Sequence, residues 1–513
     1  MNLFDQRPLA RAALAEEPLD VLIVGGGIVG AGIARDAALR GLRTGLVEQH
    51  DFAFGTSSRS SRLLHGGLRY LAQGRVGLVR EASIEKKIIH HIAPHLAKPL
   101  PFIFPTYRGN KNWVLWQLKI GVKIYDLLCS GRNLGRSTWL SRGEVREQIP
   151  ALTQTNLNGA VRYYDGFTND ARLTIDTLRS AAKSGAVIVN YARFNGAIRA
   201  DLWECNLTDT LSGKPFSVRA RTVVNATGPW ADGLPHSRVK LRVTKGIHLV
   251  VERSRVPVPD TVVMTEGKRI LFAIPWGERT ILGTTDTDYA GSLDHVNAEA
   301  EDIRYVLQIT NQFFPSAHLA DADVISAWAG LRPLLADPSG KPSDISRSHE
   351  IRTPEPGWWD VAGGKLTTYR LMAEQTVDQL VRWLRKTNTV NGHVAPCRTA
   401  EELLLPLAET AGLSGILPPE FSRRAVEHFC ANEWAVHLDD VMVRRTSWHY
   451  YHRDAAQKAE RVADWMGELL GWSAAERVAE FQRYHETMEC RSFSGLADLT
   501  ENQHPHVSAQ PVV

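Results

Sequence analysis

A glycine-rich turn between an apolar strand and a helix constrains the fold of this chain more than any other feature. The apolar run Leu19–Val24 precedes Gly25, Gly27 and Gly30, which form the pattern G-x-G-x-x-G at the start of the periodic segment Ile28–Leu39. In such a pattern the first glycine allows a tight turn, the second lets a pyrophosphate approach the backbone, and the third lets helix and strand pack closely. The helix N-terminus attracts the phosphate charge. We therefore predict a βαβ unit that binds a dinucleotide.

An acidic residue follows at the distance that such a unit requires. A second apolar strand is predicted over residues 44–48, and it ends at Glu48, whose carboxylate would accept hydrogen bonds from ribose hydroxyls. A glycine triplet alone would also fit a flexible loop before an ordinary helix. The agreement of strand, helix and acidic residue favours the dinucleotide, although this motif does not distinguish FAD from NAD.

Composition excludes several other classes of protein. The 513 residues are 43% hydrophobic and 23% charged, which is typical of a folded protein with about three domains. The net charge of +4 is diffuse, so no nucleic-acid partner is expected. The five cysteines stand singly, which predicts no metal or iron–sulfur site and a reducing compartment. Since residues 1–20 lack a secretory signal and no window could span a bilayer, we expect a cytoplasmic location with any membrane contact peripheral.

Further motifs follow along the chain in a specific order. They are GTSSRSSRLLHGGLRY at residues 55–70, NATGPW at 225–230, GTTD at 283–286, GLRP at 330–333 and GGKLTTYR at 363–370. Together they resemble the FAD-dependent glycerol-3-phosphate dehydrogenase family from about residue 20 to residue 372. Beyond about residue 385 the resemblance is patchy until residues 439–446, which are similar to the family's helical cap. Arg444 and Arg445 in that block are interpreted as surface or interface residues with no catalytic role.

The resemblance implies an α/β fold, with a glutathione-reductase-type Rossmann FAD domain, an antiparallel β substrate domain and a C-terminal helical cap domain. The order of apolar and alternating segments leads to a similar division. We expect an N-terminal tail at residues 1–18, a discontinuous FAD-binding domain at 19–99, 151–238 and 321–386, a substrate-binding domain at 100–150 and 239–320, a helical domain at 387–500, and a polar tail at 501–513.

The resemblance also assigns residues that would contact FAD. In this family a Ser/Thr-rich loop and two glycines lie against the flavin and its phosphates, a strand end passes the adenosine, and a helix start faces the pyrimidine edge of the flavin. Small residues let backbone amides approach these groups, and the positive end of a helix would stabilise an anionic reduced flavin. The residues so assigned are Thr56, Ser57, Ser58, Gly66, Gly67, Gly228, Gly364, Leu366 and Thr367.

The substrate that the resemblance implies is glycerol 3-phosphate, a small dianion that needs several cations around its phosphate. The resemblance assigns this role to Arg69, Arg332 and Arg347, with Tyr70 and Lys365 nearby. For a single arginine, a solvated charge or a structural ion pair is the commoner role. Arg347 has the least support, because its neighbours carry little of the motif.

Oxidation at C2 of the substrate requires a base for the hydroxyl proton, and histidine titrates in the useful range. Two histidines lie in the motifs, His65 before the two glycines and His248 on a strand expected to face the site. We predict that His248 is the base and that His65 orients groups near the flavin. The reverse assignment stays open, as does a core hydrogen bond for either histidine.

The electron acceptor is the least determined part of the sequence-based interpretation. The family contains dehydrogenases that reduce quinone at a membrane and oxidases that reduce oxygen. Residues 110–130 show a basic amphipathic pattern with two tryptophans. This pattern fits a helix that docks on the inner face of the membrane, and equally a helix that packs on the substrate domain or on a second subunit of a homodimer. The insertion typical of the oxidases is not apparent, which favours a dehydrogenase with a quinone acceptor.

Three alternatives to this dehydrogenase stay open. They are a glycerol-3-phosphate oxidase, a flavin-binding structural or sensor protein without turnover, and an amino-acid oxidase of related fold. The presence of Arg69, Arg332, Lys365 and His248 together disfavours the second alternative, and the number of arginines disfavours the third.

Overall fold

Two β-sheets carry the fold in the computed structural model, which describes residues 3–71, 74–110, 112–129, 133–336, 349–389 and 393–492. The strands within these residues are β1 Leu19–Val24, β2 Thr44–Val47, β3 Leu63–Leu64, β4 Ala97–Tyr107, β5 Thr138–Leu140, β6 Leu157–Thr168, β7 Val187–Val189, β8 Ala192–Arg199, β9 Trp203–Asp209, β10 Pro215–Asn225, β11 Leu241–Glu252, β12 Thr261–Glu266, β13 Arg269–Trp276, β14 Arg279–Gly283, β15 Thr287–Asp288, β16 Val324–Leu335, β17 His349–Glu355 and β18 Trp358–Gly363.

Helices cover the sheets and form the C-terminal part of the described chain. They are α1 Leu3–Glu16, α2 Ile28–Leu39, α3 Leu68–Leu71, α4 Val76–Ile92, α5 Leu115–Leu128, α6 Arg142–Gln148, α7 Asp170–Lys183, α8 Ala300–Phe313, α9 Tyr369–Lys386, α10 Arg423–Asn432, α11 Trp448–Tyr451, α12 Ala455–Leu470 and α13 Ala474–Ser492. Among the helices that are described, none combines the length and the hydropathy needed to cross a bilayer.

The first sheet is built on the predicted strand–helix–strand unit. Its order is β17-β18-β10-β1-β2-β7, in which β1 runs parallel to both β2 and β10, and the antiparallel strands β8 and β9 extend it beside β10. Strand β1 can be almost entirely apolar because both faces of the sheet are covered. Helices α2, α7 and α9 pack on one face, while α1, β8 and β9 contribute to the core on the other. The predicted Rossmann-type architecture is confirmed.

The second sheet is mostly antiparallel and has two different faces. Its order is β15-β11-β14-β13-β12-β4-β6-β3, with β16 beside β11 and β5 beside β6. Because side chains alternate along a strand, neighbours such as Ile247 and His248 point to opposite faces. The face with Ile247, Leu249 and Leu271 packs against α8 in one buried core. The opposite face carries His248 and Phe272 and lines a cavity that it shares with the first sheet.

Buried ion pairs attach the C-terminal helices to the first part of the chain. Arg444 and Arg445 lie in a π-helix, Asp440–Arg445, and both donate hydrogen bonds to Asp51, with Arg445 Nη2 at 2.9 Å from Oδ1. Arg172 Nη2 donates similarly to Glu433 Oε1 at 2.8 Å. All five side chains are buried. Arg444 and Arg445 are therefore interface residues inside the molecule, since a buried charge is stable only beside a partner.

The observed limits of the sheets differ from the expected domain limits. Strands β6 and β16 lie outside residues 100–150 and 239–320, yet they pair with β4 and β11 of the second sheet. Both strands are long and mostly buried, and such a pattern fits either sheet. The expected N-terminal tail contains helix α1, where Arg7 and Arg11 form ion pairs with Asp209. Pro8 lies within this helix, and because proline disfavours a helix interior, the sequence carries only a weak signal for a helix here. Residues 493–513 lie outside the described part of the chain.

Candidate active site

A cavity of about 1330 Å³ lies between the two sheets. On one side it is lined by residues at the carboxyl ends of the parallel strands β1, β2, β10 and β18, where open α/β sheets bind their ligands. On the other side it is lined by the face of the second sheet that carries His248 and Phe272. Its volume exceeds the roughly 300–1,000 Å³ of a typical small-molecule site. The cavity can therefore hold a ligand as large as a dinucleotide.

The glycine motif forms one wall of this cavity, and each glycine has a separate structural reason. Gly25 has φ of +114°, and a Cβ there would lie 2.6 Å from the carbonyl oxygen of Ala226. A Cβ on Gly30 would overlap the carbonyl oxygen of Gly25. Gly27 faces the cavity, with Ser57 Oγ the nearest atom to its Cβ position. Gly25 therefore lets the end of β1 approach the end of β10, Gly30 lets helix α2 pack against the turn, and Gly27 leaves space for a ligand.

Two side chains beside the glycine motif fit a bound dinucleotide. Glu48 lines the cavity, accepts hydrogen bonds from the backbone N–H groups of Gly26 and His50 at 2.7 and 2.9 Å, and has a pKa raised by burial. Arg59 is buried at the cavity wall, and its Nη2 has no hydrogen-bond partner within the described residues. Burial lowers the pKa of Arg59. An anionic group of a cofactor would supply the partner that Arg59 lacks there.

The loop after β3 and the turn after β18 meet at the other end of the cavity. Thr367 Oγ1 accepts a hydrogen bond from the backbone N–H of His65 at 3.0 Å and lies 3.3 Å from the His65 carbonyl oxygen. Lys365 Nζ lies 4.1 Å from the centre of the Tyr70 ring, within the range of a cation–π contact. Two motifs that are far apart in the sequence therefore form one surface of the cavity.

Most of the residues predicted for the site line this cavity. They are Gly25, Gly27, Glu48, Thr56, Ser57, His65, Gly67, Tyr70, Gly228, His248, Arg332, Gly364, Lys365, Leu366 and Thr367.

The other predicted residues have different positions. Gly30 packs beneath the motif, Ser58 is buried behind the wall, and the backbone N–H of Gly66 donates to the Tyr125 hydroxyl at 2.8 Å. Arg69 belongs to α3, but its side chain is outside the description. Arg347 lies outside the described residues. The roles assigned to Arg69 and Arg347 stay predictions.

His248 is enclosed on the second sheet. Its Nε2 lies 2.8 Å from Ser61 Oγ, and its ring stacks on Trp328 with centroids 5.2 Å apart. Burial, followed by the positive charges of Arg332 and Arg62, lowers the pKa of His248 to about 3. Nδ1 of this ring is buried without a hydrogen-bond partner among the described residues. The imidazole is therefore neutral at physiological pH, and one of its nitrogens can accept a proton.

Arg332 stands near His248, on the adjacent strand β16. Its Nη1 donates to Asp286 Oδ1 at 3.0 Å, and its Nη2 donates to Thr284 Oγ1 at 3.1 Å and to the carbonyl oxygen of Thr285 at 3.2 Å. These contacts fix the plane of the guanidinium at the cavity wall. These contacts join two of the quoted motifs, GTTD and GLRP. The prediction from sequence named Arg332 but none of its three partners in GTTD.

Sequence reasoning missed several residues of the cavity. Ser61, Arg59 and Asp286 lie inside the quoted motifs, so the motifs themselves carried a signal for them. Lys268 and Arg269, at the turn between β12 and β13, also line the cavity. A short turn with basic residues is common at protein surfaces, so the sequence offered no signal for that pair.

Comparisons with known proteins agree with this geometry. The family described as FAD dependent oxidoreductase matches residues 20–379, and the C-terminal domain of alpha-glycerophosphate oxidase matches residues 408–477. Glycerol-3-phosphate dehydrogenase 2 of Mycobacterium tuberculosis strain H37Rv is 36% identical over 95% of this chain and 91% of that protein. Aerobic glycerol-3-phosphate dehydrogenase of Bacillus subtilis is 40% identical over 75% of this chain and 70% of that protein.

Two solved structures are similar in fold. The Bacillus halodurans glycerol-3-phosphate dehydrogenase complexed with FAD has a TM-score of 0.76 and 29% identity, covering 95% of this chain and 97% of that chain. The L-alpha-glycerophosphate oxidase of Mycoplasma pneumoniae with FAD bound has a TM-score of 0.58 and 17% identity, covering 76% and 99%. The second similarity concerns the fold alone.

Proposed function

Because this chain belongs to the family of FAD-dependent glycerol-3-phosphate dehydrogenases, we propose that it oxidises sn-glycerol 3-phosphate to dihydroxyacetone phosphate and passes the electrons to a quinone. FAD, when bound, supplies the acceptor for the hydride that leaves C2 of the substrate. One observation carries the proposal: His248, Arg332 and Lys365 converge on the cavity that the dinucleotide-binding edge also lines. A base and two cations are what a phosphorylated alcohol needs there.

His248 is the base in this proposal. Since its pKa of about 3 keeps the imidazole neutral, it can take the proton of the C2 hydroxyl as the hydride leaves C2. A phosphate dianion bound near His248 would raise the pKa of the imidazole and so strengthen it as a base. His65 orients groups near the flavin in this proposal, since the hydrogen bonds between its backbone and Thr367 hold the loop that lines the cavity.

Arg332 and Lys365 bind the phosphate in this proposal. Asp286 offsets part of the charge of Arg332, but the same contact holds the guanidinium in one plane, which favours paired hydrogen bonds to phosphate oxygens. Lys365 adds a second positive charge beside Tyr70. Arg69 and Arg347, predicted from sequence, would complete the set.

The test is anaerobic mixing of the FAD-loaded protein with glycerol 3-phosphate, followed by the loss of flavin absorbance. We expect rapid bleaching by the wild type and a rate lower by about a hundredfold or more in His248→Gln, the range for loss of a general base. His393→Gln is the matched control, since His393 is exposed and is not among the residues that line the cavity. A full bleaching rate in His248→Gln would remove His248 from the mechanism, and no bleaching of the wild type would refute the proposed substrate.

An exposed stripe on α5 supports a membrane-bound quinone as the acceptor. Trp116, Ile120, Ile124 and Leu127 are 61%, 54%, 43% and 73% exposed and recur at helical spacing. Lys119 lies beside them, with its Nζ 5.1 Å from the ring of the exposed Trp139. An apolar stripe with flanking lysine and tryptophan fits the interface of an anionic membrane. We propose that this stripe, called the α5 stripe, docks on the inner leaflet.

The opposite side of α5 reaches the cavity wall. Tyr125, on the buried side of the helix, accepts the hydrogen bond from the N–H of Gly66, one residue from the cavity-lining Gly67. Docking through the α5 stripe would therefore bring the cavity wall at Gly67 to within about one helix diameter, roughly 10–12 Å, of the lipid surface. This short distance favours an acceptor dissolved in the membrane.

Two measurements test the acceptor and the docking. Reduced protein should be reoxidised quickly by a soluble quinone and slowly by air; rapid reoxidation by air with release of hydrogen peroxide would establish the oxidase instead. Substitution of Ile120 and Leu127 by serine should weaken binding to anionic phospholipid vesicles by about tenfold or more, whereas Ile198→Ser, at an exposed site on β8, should not. Unchanged vesicle binding with a change in sedimentation would assign the α5 stripe to a second subunit.

A further inference from the structure

One part of the cavity wall is apolar and has no use in binding a three-carbon phosphate. Six residues make up this part, here called the aromatic wing: Phe102, Phe104, Trp113, Tyr163, Ile270 and Phe272. Ile270 and Phe272 remain only half-buried in the middle of a sheet because this face opens into the cavity. A small, highly polar substrate would gain nothing from such a surface, since burial of apolar area stabilises only apolar ligands. The wing therefore points to a second ligand.

Strand pairing places the wing next to the proposed base. His248 on β11 pairs with Gly283 on β14, which pairs with Phe272 on β13, which pairs with Val263 on β12. At about 4.8 Å per strand, the backbone of Phe272 lies about 10 Å from that of His248, on the same face of the sheet. A ligand on the wing would thus lie beside the substrate site and in the same cavity.

The rings of the wing suit a flat ligand. Phe102 stacks on Tyr163 with centroids 5.1 Å apart, and the ring of Phe272 meets Phe102 edge-on at 5.8 Å. Such a surface binds planar conjugated rings by stacking and edge contacts. Lys268 lines the same cavity at the turn before the strand that carries Ile270 and Phe272, whereas the Arg269 guanidinium lies over the Tyr305 ring on the other face of the sheet. The ammonium of Lys268 provides a hydrogen-bond donor for a carbonyl oxygen of such a ring.

The wing also leads towards the α5 stripe. Phe104 packs against Trp113 with centroids 5.1 Å apart, and Trp113 donates from Nε1 to the carbonyl oxygen of Gly267 at 3.0 Å. Trp113 is half-buried and precedes α5 by two residues in the sequence. An apolar path therefore runs from the interior of the cavity to the start of the helix that is proposed to dock on lipid.

We propose that the aromatic wing binds the ring of the quinone acceptor, with the apolar tail of the quinone leaving past Trp113 towards the lipid surface. This inference rests on the proposed function and adds the acceptor's binding site to it. With FAD bound, the quinone would take two electrons and one proton from the anionic reduced cofactor, and as its second proton the one that His248 took from the substrate; it would leave as the hydroquinone, with FAD oxidised and His248 neutral again. No further reactant is needed for this balance. Substrate and acceptor then occupy neighbouring parts of one cavity.

The test separates the two half-reactions of the FAD-loaded enzyme by stopped-flow absorbance. Ile270→Trp fills the wing, and Phe272→Ala removes one of its rings. We expect both variants to be bleached by glycerol 3-phosphate within about twofold of the wild-type rate and to be reoxidised by a short-chain ubiquinone about tenfold or more slowly. Reoxidation by ferricyanide, a small hydrophilic acceptor, should not change. Ile198→Trp, the same substitution at an exposed site outside the cavity wall, is the matched control.

The outcomes distinguish this inference from the proposed function. If the wild type is not reoxidised by quinone, the proposed acceptor is wrong. If the wild type is reoxidised quickly and both wing variants match it, the acceptor stands and the wing is not its site. If the purified wing variants contain much less FAD than Ile198→Trp, the wing belongs to the cofactor site, which also overturns the inference.

Discussion

Acidification should destabilise this protein through His248. Its side chain is 2% exposed, and burial with the nearby Arg332 and Arg62 lowers its pKa to about 3 from an ordinary value of 6.5. Between these pH values the unfolded chain binds a proton at this position and the folded chain does not. The free energy of unfolding therefore falls as the pH drops below 6.5.

The two pKa values determine the size of this effect. Each pH unit between them is worth about 1.36 kcal/mol, so the free energy of unfolding should be lower by about 2 kcal/mol at pH 5 than at pH 7 through His248 alone. For a chain of 513 residues, an unfolding entropy of about 2.1 cal/mol/K per residue amounts to about 1.1 kcal/mol/K. The expected fall in the unfolding midpoint from this one residue is therefore about 2 °C.

Thermal unfolding of wild type and His248→Gln at pH 7 and pH 5 measures this effect, with the release of flavin fluorescence as the signal. Glutamine keeps a group that can bond to Ser61 but does not titrate. On acidification the midpoint of the variant should fall by about 2 °C less than that of the wild type. Equal pH dependence of the two proteins would refute the buried, neutral state of His248.

His437 provides a control of opposite sign. Burial acts to lower its pKa, but the hydrogen bond with Glu480 and the charge of Asp440 raise it above 6.5 overall. The stabilisation from His437 is therefore fully present below pH 6.5 and is lost as the pH rises through the folded-state value. In His437→Gln, the midpoint should consequently fall more than in the wild type between pH 7 and pH 5.

Four further substitutions test other parts of the structure. Gly27→Ala should fold and lose affinity for FAD by about tenfold or more in a fluorescence titration, because its Cβ points into the cavity, whereas Gly30→Ala should not yield folded protein. Asp51→Asn should lower the free energy of unfolding by about 3–5 kcal/mol and the midpoint by about 3–5 °C; a shift below about 1 °C would contradict the buried ion pairs. Arg332→Lys should raise the KM for glycerol 3-phosphate by about tenfold or more in steady-state assays with little change in FAD content; a change confined to kcat would contradict phosphate binding.

The dinucleotide-binding edge could be predicted because local chemistry determines it. A strand, a turn and a helix lie within residues 19–39, and steric contact with neighbouring backbone requires glycine at positions 25 and 30. Such short-range requirements are visible in the sequence. His248, Arg332 and Lys365 could be joined only through the family resemblance, since they reach the cavity from separate strands and a separate turn.

The aromatic wing could not be predicted, because its residues become neighbours only through strand pairing. Phe102 lies on β4 and Phe272 lies on β13, each between residues that face the other side of the sheet. The pairing register that brings the two rings together exists only in the folded sheet. The burial of Arg444 could not be predicted for the same reason, since its partner Asp51 lies 393 residues earlier in the chain. No local pattern distinguishes such an arginine from one on the surface.

The separation of 393 residues between Asp51 and Arg444 affects how the protein folds during its synthesis. A ribosome adds about 5–20 residues per second, so Asp51 emerges about 20–80 s before Arg444 and Arg445 are synthesised. During this interval the Asp51 carboxylate has neither arginine beside it. We therefore expect a nascent chain to hold FAD stably only after Arg444 and Arg445 have been synthesised and have paired with Asp51.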